Sequence, residues 1–268
     1  MPKTARSIAI VGAGIGGLAA AAALRQVGID VRLYEQAEAF ERIGAGIQIS
    51  PNSVKVLRKL GLGQHLTEMA YRPLSLINRD WKSGAVTLVR PLGDEAEAKY
   101  GAPHYVTHRG DLHAALAELI PEEIIERGYE LVDVRKSSDA VSLSFASGAT
   151  VEADLVIGAD GVHSIVREAL FGAEAPVFTG RVAYRTTFPS ALLKGLEIDG
   201  CAKWWGPDRH IVIYYTNPRR DEVYFVTSTP EPDFQVESWS QEGDLDVLRS
   251  AYQDFHPTVR EVLGACPA

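Results

Sequence analysis

The chain has 268 residues, 46% of them hydrophobic and 23% charged, enough apolar material for the core of one large domain or two modest ones. A formal net charge of -8 without any basic run excludes a nucleic-acid footprint and points to a small ligand. Cys201 and Cys266 stand far apart without metal spacing, so neither a disulfide scaffold nor a zinc site is expected, and a reducing cytoplasm fits.

The apolar run from Ile8 to Ala23 is broken by glycines and followed by further helix and strand signals, so it does not read as a signal peptide. No stretch of about 20 apolar residues is present, and no membrane span is expected. Ser7 to Val11 reads as a buried strand, and Gly12-Ala13-Gly14-Ile15-Gly16-Gly17 follows at once, opening an Ala-rich helix that runs to about Val27. In a strand, glycine loop and helix of this kind, Gly12 permits the tight turn, Gly14 leaves room for a pyrophosphate, and Gly17 lets the helix pack close to the sheet. The helix N-terminus offers N–H groups and a positive dipole end to the phosphates. A second strand, Asp30 to Tyr34, is followed by Glu35, an acid suited to a ribose 2'-hydroxyl and ill suited to a 2'-phosphate.

The segment from Val106 to Leu112 leads into a helix whose apolar positions Leu112, Ala115, Leu116 and Leu119 recur at helical spacing, with Asp111 as N-cap. Arg109, just before that helix start, could grip a phosphate with both arms of its guanidinium; taken alone it reads as a surface arginine. Further on, Val156 and Ile157 read as a buried strand entering Asp160-Gly161, with a Ser164-capped helix behind. At a sheet's carboxyl edge, Asp160 offers a carboxylate to ribityl or ribose hydroxyls and Gly161 a tight turn, although an ordinary Asp-Gly turn would look the same.

Arg181 to Phe188, Cys201 to Trp205, His210 to Thr216 and Glu222 to Thr229 read as strands separated by Pro, Gly and Asp turns. The four-residue turn Gly206-Pro207-Asp208-Arg209 pairs Trp205 with His210 and, counting outward, Cys201 with Tyr214. One face then carries Cys201, Lys203, Trp205, His210, Val212 and Tyr214, the other Ala202, Trp204, Ile211, Ile213 and Tyr215. The polar tips of Cys201, His210 and Tyr214 suit a flat aromatic with a hydroxyl or carboxylate; by themselves they also read as ordinary sheet residues. His104, His108 and His113 are spaced irregularly for a metal.

Gly12-x-Gly14-x-x-Gly17 with Glu35, Arg42-Ile43-Gly44-Ala45-Gly46-Ile47, His108-Arg109-Gly110-Asp111-Leu112 and Gly158-Ala159-Asp160-Gly161-x-x-Ser164-x-x-Arg167 occur in order. Together they resemble the single-component FAD-dependent aromatic hydroxylases, and within that family its 6-hydroxynicotinate and salicylate hydroxylase-like branch. Asn78-Arg79-Asp80-Trp81, Arg90 to Asp94 and Cys201 to His210 support the likeness.

The resemblance implies an α/β fold in which a Rossmann-like FAD-binding domain is interrupted by a β-sheet substrate domain. Residues 1–72 and 103–175 would make the FAD-binding parts, 73–102 and 176–248 the substrate parts, and 249–268 the start of a return to the FAD domain. It assigns FAD contacts to Gly12, Gly14, Gly16, Gly17, Glu35, Gln36, Arg42, Arg109, Leu131, Asp160 and Gly161. His210, Tyr214, Cys201 and Gln48 would line the substrate pocket, Gln48 standing in the Gly-Ala-Gly-Ile-x loop where 6-hydroxynicotinate enzymes carry a histidine. Gln48 can hydrogen-bond but is no base near neutral pH.

The implied reaction uses NADH or NADPH to reduce FAD and molecular oxygen to hydroxylate a small aromatic acid, with loss of carbon dioxide if the attacked carbon bears the carboxylate. His210, with a pKa near neutrality, would assist deprotonation of the ring hydroxyl. No membrane or nucleic-acid partner is expected, and a homo-oligomer is left open. The family's third cofactor motif, Gly-Asp followed by Ala or Cys, His and Pro, would lie beyond Ala268, so the chain is expected to be the first two thirds or so of such an enzyme. An uncoupled flavin reductase or oxidase and a non-catalytic FAD-binding fragment are the alternative readings.

Overall fold

The computed structural model describes residues 7–42, 44–234 and 243–267. Ile43 of the Arg42 to Ile47 motif, and residues 235–242 of the expected substrate segment, lie outside the described residues. In chain order the elements begin β1 (Ile8–Val11), α1 (Ile15–Gln26), β2 (Val31–Glu35), β3 (Gly46–Ile49), α2 (Pro51–Lys59), α3 (Gly63–Met69), β4 (Ser75–Asp80) and β5 (Val86–Pro91). Then come α4 (Asp94–Tyr100), β6 (Tyr105–His108), α5 (Arg109–Ala117), β7 (Ile125–Arg127), β8 (Leu131–Lys136), β9 (Val141–Phe145), β10 (Thr150–Ala153), β11 (Leu155–Gly158) and α6 (Ile165–Phe171). The last stretch holds β12 (Arg181–Val182), β13 (Arg185–Pro189), β14 (Cys201–Trp205), β15 (His210–Tyr215), β16 (Glu222–Pro230), α7 (Leu245–Ala251) and α8 (Pro257–Ala265).

The chain divides into two compact units, Met1–Arg42 with Leu112–Val177, and Ile43–Asp111 with Phe178–Ala268. These bounds differ from the expected segments at each of the three crossings. Residues 44–72 go with the second unit because β3 pairs antiparallel with β6 and Tyr71 bridges Val106.

In the first unit, β11, β1, β2 and β7 form a parallel sheet in that order. β1 is wholly apolar, whereas β2 carries exposed Arg32 between buried Val31 and Leu33; Ile10 and Leu33 are fully buried. The antiparallel sheet β10-β9-β8 contributes Leu143 and Phe145 to a core shared with Val11, Tyr34 and Val166. The expectation of a buried strand at Val156 and Ile157 is corrected: β11 pairs only with β1 among the described strands, Val156 and Ile157 are half-buried, and Leu155 and Gly158 are exposed.

In the second unit the main sheet runs β12-β16-β15-β14-β4-β5, with β13 also on β16. The hairpin register is the expected one, Trp205 opposite His210 and Cys201 opposite Tyr214. Arg181 to Phe188, expected as one strand, is two pieces in one register on β16, interrupted where the Tyr184 N–H turns to Thr227 Oγ1 at 3.0 Å.

Alternation along the hairpin separates two cores, as the period-2 reading requires. Ala202, Trp204, Ile211 and Ile213 pack with Leu248, Tyr252, Phe255, Val259, Val262 and Leu263 of the C-terminal helical region. Each large side chain fully buried there contributes about 1.5–3 kcal/mol. Residues 249–267 therefore cover one face of this main sheet, where a return to the first unit was expected. Cys201, Val212, Tyr214 and Tyr224 form the other core with Ala45, Tyr71 and Val106. No described helix is long and apolar enough to cross a membrane.

Candidate functional site

The glycine loop of the first unit is built by two kinds of glycine. At Gly12, φ is +95° and a Cβ would collide with the Ala159 carbonyl; at Gly17 a Cβ would collide with the Gly12 carbonyl. These two allow β1, the loop and α1 to pack. Gly14 and Gly16, by contrast, face open space with nothing within 4 Å of a built Cβ. Gly14 is also the N-cap of α1 and no side chain among the described residues caps that helix, which leaves its first N–H groups for a ligand. An open cradle at a helix N-terminus is what a pyrophosphate requires.

Glu35 ends β2 and braces this cradle. Its Oε2 accepts the Ala13 N–H at 2.7 Å and its Oε1 the Ala37 N–H at 2.9 Å, which fixes the carboxylate at the loop with lone pairs to spare for a ribose hydroxyl. His113 of α5 closes the loop from the other side, its Nε2 2.8 Å from the Ala13 carbonyl and its ring edge-on to Phe40. The sequence offered His113 only as a metal ligand to be discounted, and no local pattern links a helix position at 113 to residue 13.

Asp160 follows β11 and engages the start of α6. Its Oδ1 accepts the Ser164 hydroxyl at 2.5 Å, its Oδ2 accepts the Val166 N–H at 3.1 Å, and Ser164 Oγ in turn accepts the Arg167 N–H at 2.9 Å. The carboxylate is thus held rigidly, with acceptor capacity remaining. Gly161 beside it has φ +81° and faces open space. Gln36 and Arg42 are exposed after β2. Leu131 is buried among Tyr34, Leu143 and Phe145, so it could meet a cofactor through its backbone alone.

In the second unit, two expectations about the Arg109 segment are corrected. β6 runs directly into α5, which begins at Arg109 itself, and Asp111 lies in its first turn rather than at the N-cap. His108 takes the capping role, its Nδ1 accepting the Gly110 N–H at 3.0 Å. The Arg109 N–H donates to the Ala45 carbonyl at 2.8 Å, and Gly44 lies against the Arg109 side chain.

The Gly-Ala-Gly-Ile-x segment, expected as a loop, forms strand β3 from Gly46 onward. Gly46 is where β3 meets the main sheet of the second unit: a Cβ there would stand 2.5 Å from both the Tyr214 hydroxyl and Tyr224 Cδ1. Exposed Gln48, two residues on, shares that strand face. Tyr224, which the sequence reading passed over, lies opposite Tyr214 with ring centroids 4.8 Å apart; its place in β16 carried the signal, because a third strand in register adds its alternate residues to the same face.

Cys201 and Tyr214 are almost fully buried. Burial first, and then Asp199, pushes the Cys201 thiol up to about 12, and burial raises the Tyr214 phenol above its ordinary range. Both are protonated donors at neutral pH. His210 is half-buried beside Trp205, ring centroids 5.0 Å apart. Burial first, then the charges of Lys203 and Arg181, bring it down to about 4, which overturns the expectation of a near-neutral pKa. His210 and Tyr214 are four residues apart on one strand face, roughly 13 Å along the sheet, so the three expected residues form two poles with Val212 between them. A cavity of about 330 Å³ lies on the opposite face, lined by Arg79, Asp199, Trp204, Ile213 and His256, and includes none of the expected site residues.

The FAD binding domain family model matches residues 5–230. The 6-hydroxynicotinate 3-monooxygenase of Bordetella bronchiseptica is 44% identical over 97% of this chain and 68% of its own length. The 3-amino-4-hydroxybenzoate 2-monooxygenase of Streptomyces cremeus is 40% identical over 96% of this chain and 64% of its own. Among solved structures, Klebsiella pneumoniae HpxO complexed with FAD and uric acid superposes with a TM-score of 0.82 at 26% identity, over 97% of this chain and 65% of that one. The chain spans about two thirds of the length of these relatives. With the open glycine cradle, braced Glu35 and held Asp160, these matches make FAD the cofactor, and the chain belongs to the single-component FAD-dependent aromatic hydroxylase family.

Proposed function

We propose that this protein hydroxylates a small aromatic acid carrying a ring hydroxyl opposite its carboxylate, with 6-hydroxynicotinate the first compound to test. NADH or NADPH would be the reductant. The observation that carries this reading is the pair of poles on one face of β14 and β15, Cys201 with Tyr214 at one end and His210 at the other. The separation suits an aromatic acid with a hydrogen bond of about 2.8 Å at each end. The 6-hydroxynicotinate and 3-amino-4-hydroxybenzoate relatives support it, both being named for acids of this shape.

Bound FAD, once reduced, supplies the activation of oxygen; the chain's residues bind, orient and donate protons. The loop at Gly14 and Gly16 with the N–H groups of α1 would hold the pyrophosphate, Glu35 the adenosine ribose, and Asp160 the ribityl or ribose hydroxyls. Cys201 and Tyr214, both protonated, donate to a ring substituent and favour its anionic form, the form that releases electrons into the ring. His210, neutral above about pH 4, hydrogen-bonds the other end and is too weak a base to strip a ring hydroxyl unaided.

The test is NADH and NADPH oxidation by the FAD-loaded protein with and without 6-hydroxynicotinate, with product mass measured, including any loss of carbon dioxide. Stimulated oxidation with a hydroxylated product supports the reading. Peroxide formed in step with NADH and no hydroxylated product would make it a flavin oxidase, and failure to take up FAD would make it a non-catalytic module.

A further inference from the structure

Lys203 stands at the middle of β14, opposite Val212 and on the same face as Cys201, Trp205, His210 and Tyr214. It is half-buried. Its ammonium lies 3.7 Å from the centroid of the Trp205 indole, which in turn touches His210. Among the described residues no carboxylate lies within ion-pair distance of it.

The surroundings do not supply the missing anion. Arg181, the other cation acting on His210, donates to Ser228 Oγ at 2.8 Å and to the carbonyls of Ser228 and Asp208 at 3.0 and 2.6 Å, all neutral acceptors. The hairpin turn's own carboxylate, Asp208, is taken by Arg209 at 2.8 and 2.9 Å. Among the described residues, this pole therefore gathers two cations, Lys203 and Arg181, against one carboxylate, Asp208, which pairs with Arg209 and also acts on Arg181. An ammonium withdrawn from water without a counter-ion is unfavourable, and burial alone lowers its pKa. The cation–π contact with Trp205 offsets only part of that cost.

We propose that Lys203 is the counter-charge for the substrate's carboxylate and that it orients the ring on the β14 and β15 face. This rests on the reading of that face as the substrate site. The carboxylate lies at the Trp205 and His210 pole, and the ring hydroxyl falls to Cys201 and Tyr214, the two donors that favour its anion. His210 then serves as a neutral hydrogen-bonding neighbour of the carboxylate, and Lys203 selects acids over their uncharged analogues.

The experiment is a calorimetric titration of the FAD-loaded protein with 6-hydroxynicotinate and, separately, with its carboxamide, in the wild type, Lys203→Met and Lys203→Arg. A charge-assisted contact predicts that Lys203→Met weakens binding of the acid by about 10- to 100-fold while leaving the carboxamide within about 3-fold, and that Lys203→Arg restores most of the loss. Equal affinity of wild type and Lys203→Met for the acid overturns the proposal. So does an equal loss for acid and carboxamide in Lys203→Met, which would mean that the side chain only supports the Trp205 ring. If the wild type binds neither compound, the substrate reading itself fails, and the assignment of Lys203 falls with it.

Discussion

Gly46 and Tyr214 meet so closely that any Cβ at residue 46 would stand 2.5 Å from the tyrosine hydroxyl. The glycine is what lets β3 lie this close to Tyr214 and Tyr224 of the main sheet. Gly46→Ala is expected to cost about 1–3 kcal/mol through forced displacement of Tyr214 and Tyr224. Thermal unfolding measures this, and an unchanged melting temperature would mean that the contact is looser than described.

The glycine loop should separate folding from cofactor binding. Gly14→Ala adds a methyl in open space and is expected to leave stability within about 0.5 kcal/mol while weakening FAD binding, since the methyl enters the phosphate cradle. Gly17→Ala pushes against the Gly12 carbonyl and is expected to destabilise the fold by about 1–3 kcal/mol even without cofactor. Paired melting curves and flavin titrations distinguish the two.

Ser164 caps α6 and receives Asp160's grip, so Ser164→Ala removes a cap and a hydrogen bond. A loss of about 1 kcal/mol is expected. Chemical denaturation reads it. FAD affinity should fall as well, because the Asp160 carboxylate loses one of its two fixed donors.

Stability should decline on acidification through two histidines. His104 and His210 are both brought down to about 4, chiefly by burial, from an unfolded value near 6.5. A depressed folded pKa stabilises the native state above the unfolded value, and that stability is lost as pH falls from about 6.5 through 4, where the unfolded chain binds the proton first. The His104 Nε2 is buried, with no hydrogen-bond partner among the described residues. His104→Phe is therefore expected to flatten the melting temperature against pH between 7 and 5; an unaltered slope would contradict its part in the decline. For the same reason kcat/KM should show no His210 ionisation near pH 6.5.

The glycine loop and the hairpin register were legible because each is set by local chemistry: glycines at fixed offsets after an apolar strand, and a four-residue Gly-Pro-Asp-Arg turn between alternating strands. What stayed hidden depends on residues distant in the chain. The Gly46 segment looks like a loop by composition and becomes a strand because β6 pairs with it. Asp111 looks like a cap, but the helix starts at Arg109, and His108 just before it accepts the Gly110 N–H. The break at Ala183 and Tyr184 comes from Thr227 across the sheet, and the fate of residues 249–267 from an apolar sheet face that they cover. His210 lost its expected basicity to burial, to Lys203 and to Arg181, neighbours in space that no strand pattern announces.

The most direct test of the substrate face is the hydroxylated product formed per NADH consumed with 6-hydroxynicotinate, compared between the wild type and a Cys201→Ala, Tyr214→Phe double variant loaded with FAD. Both changes are remote from the glycine loop, Glu35 and Asp160 in sequence, and FAD uptake is measured alongside. The result expected is unchanged FAD affinity with a product yield lowered by at least about 10-fold, since the two donors that favour the ring anion are gone. Wild-type yield in the double variant would contradict the assignment of this face to the substrate.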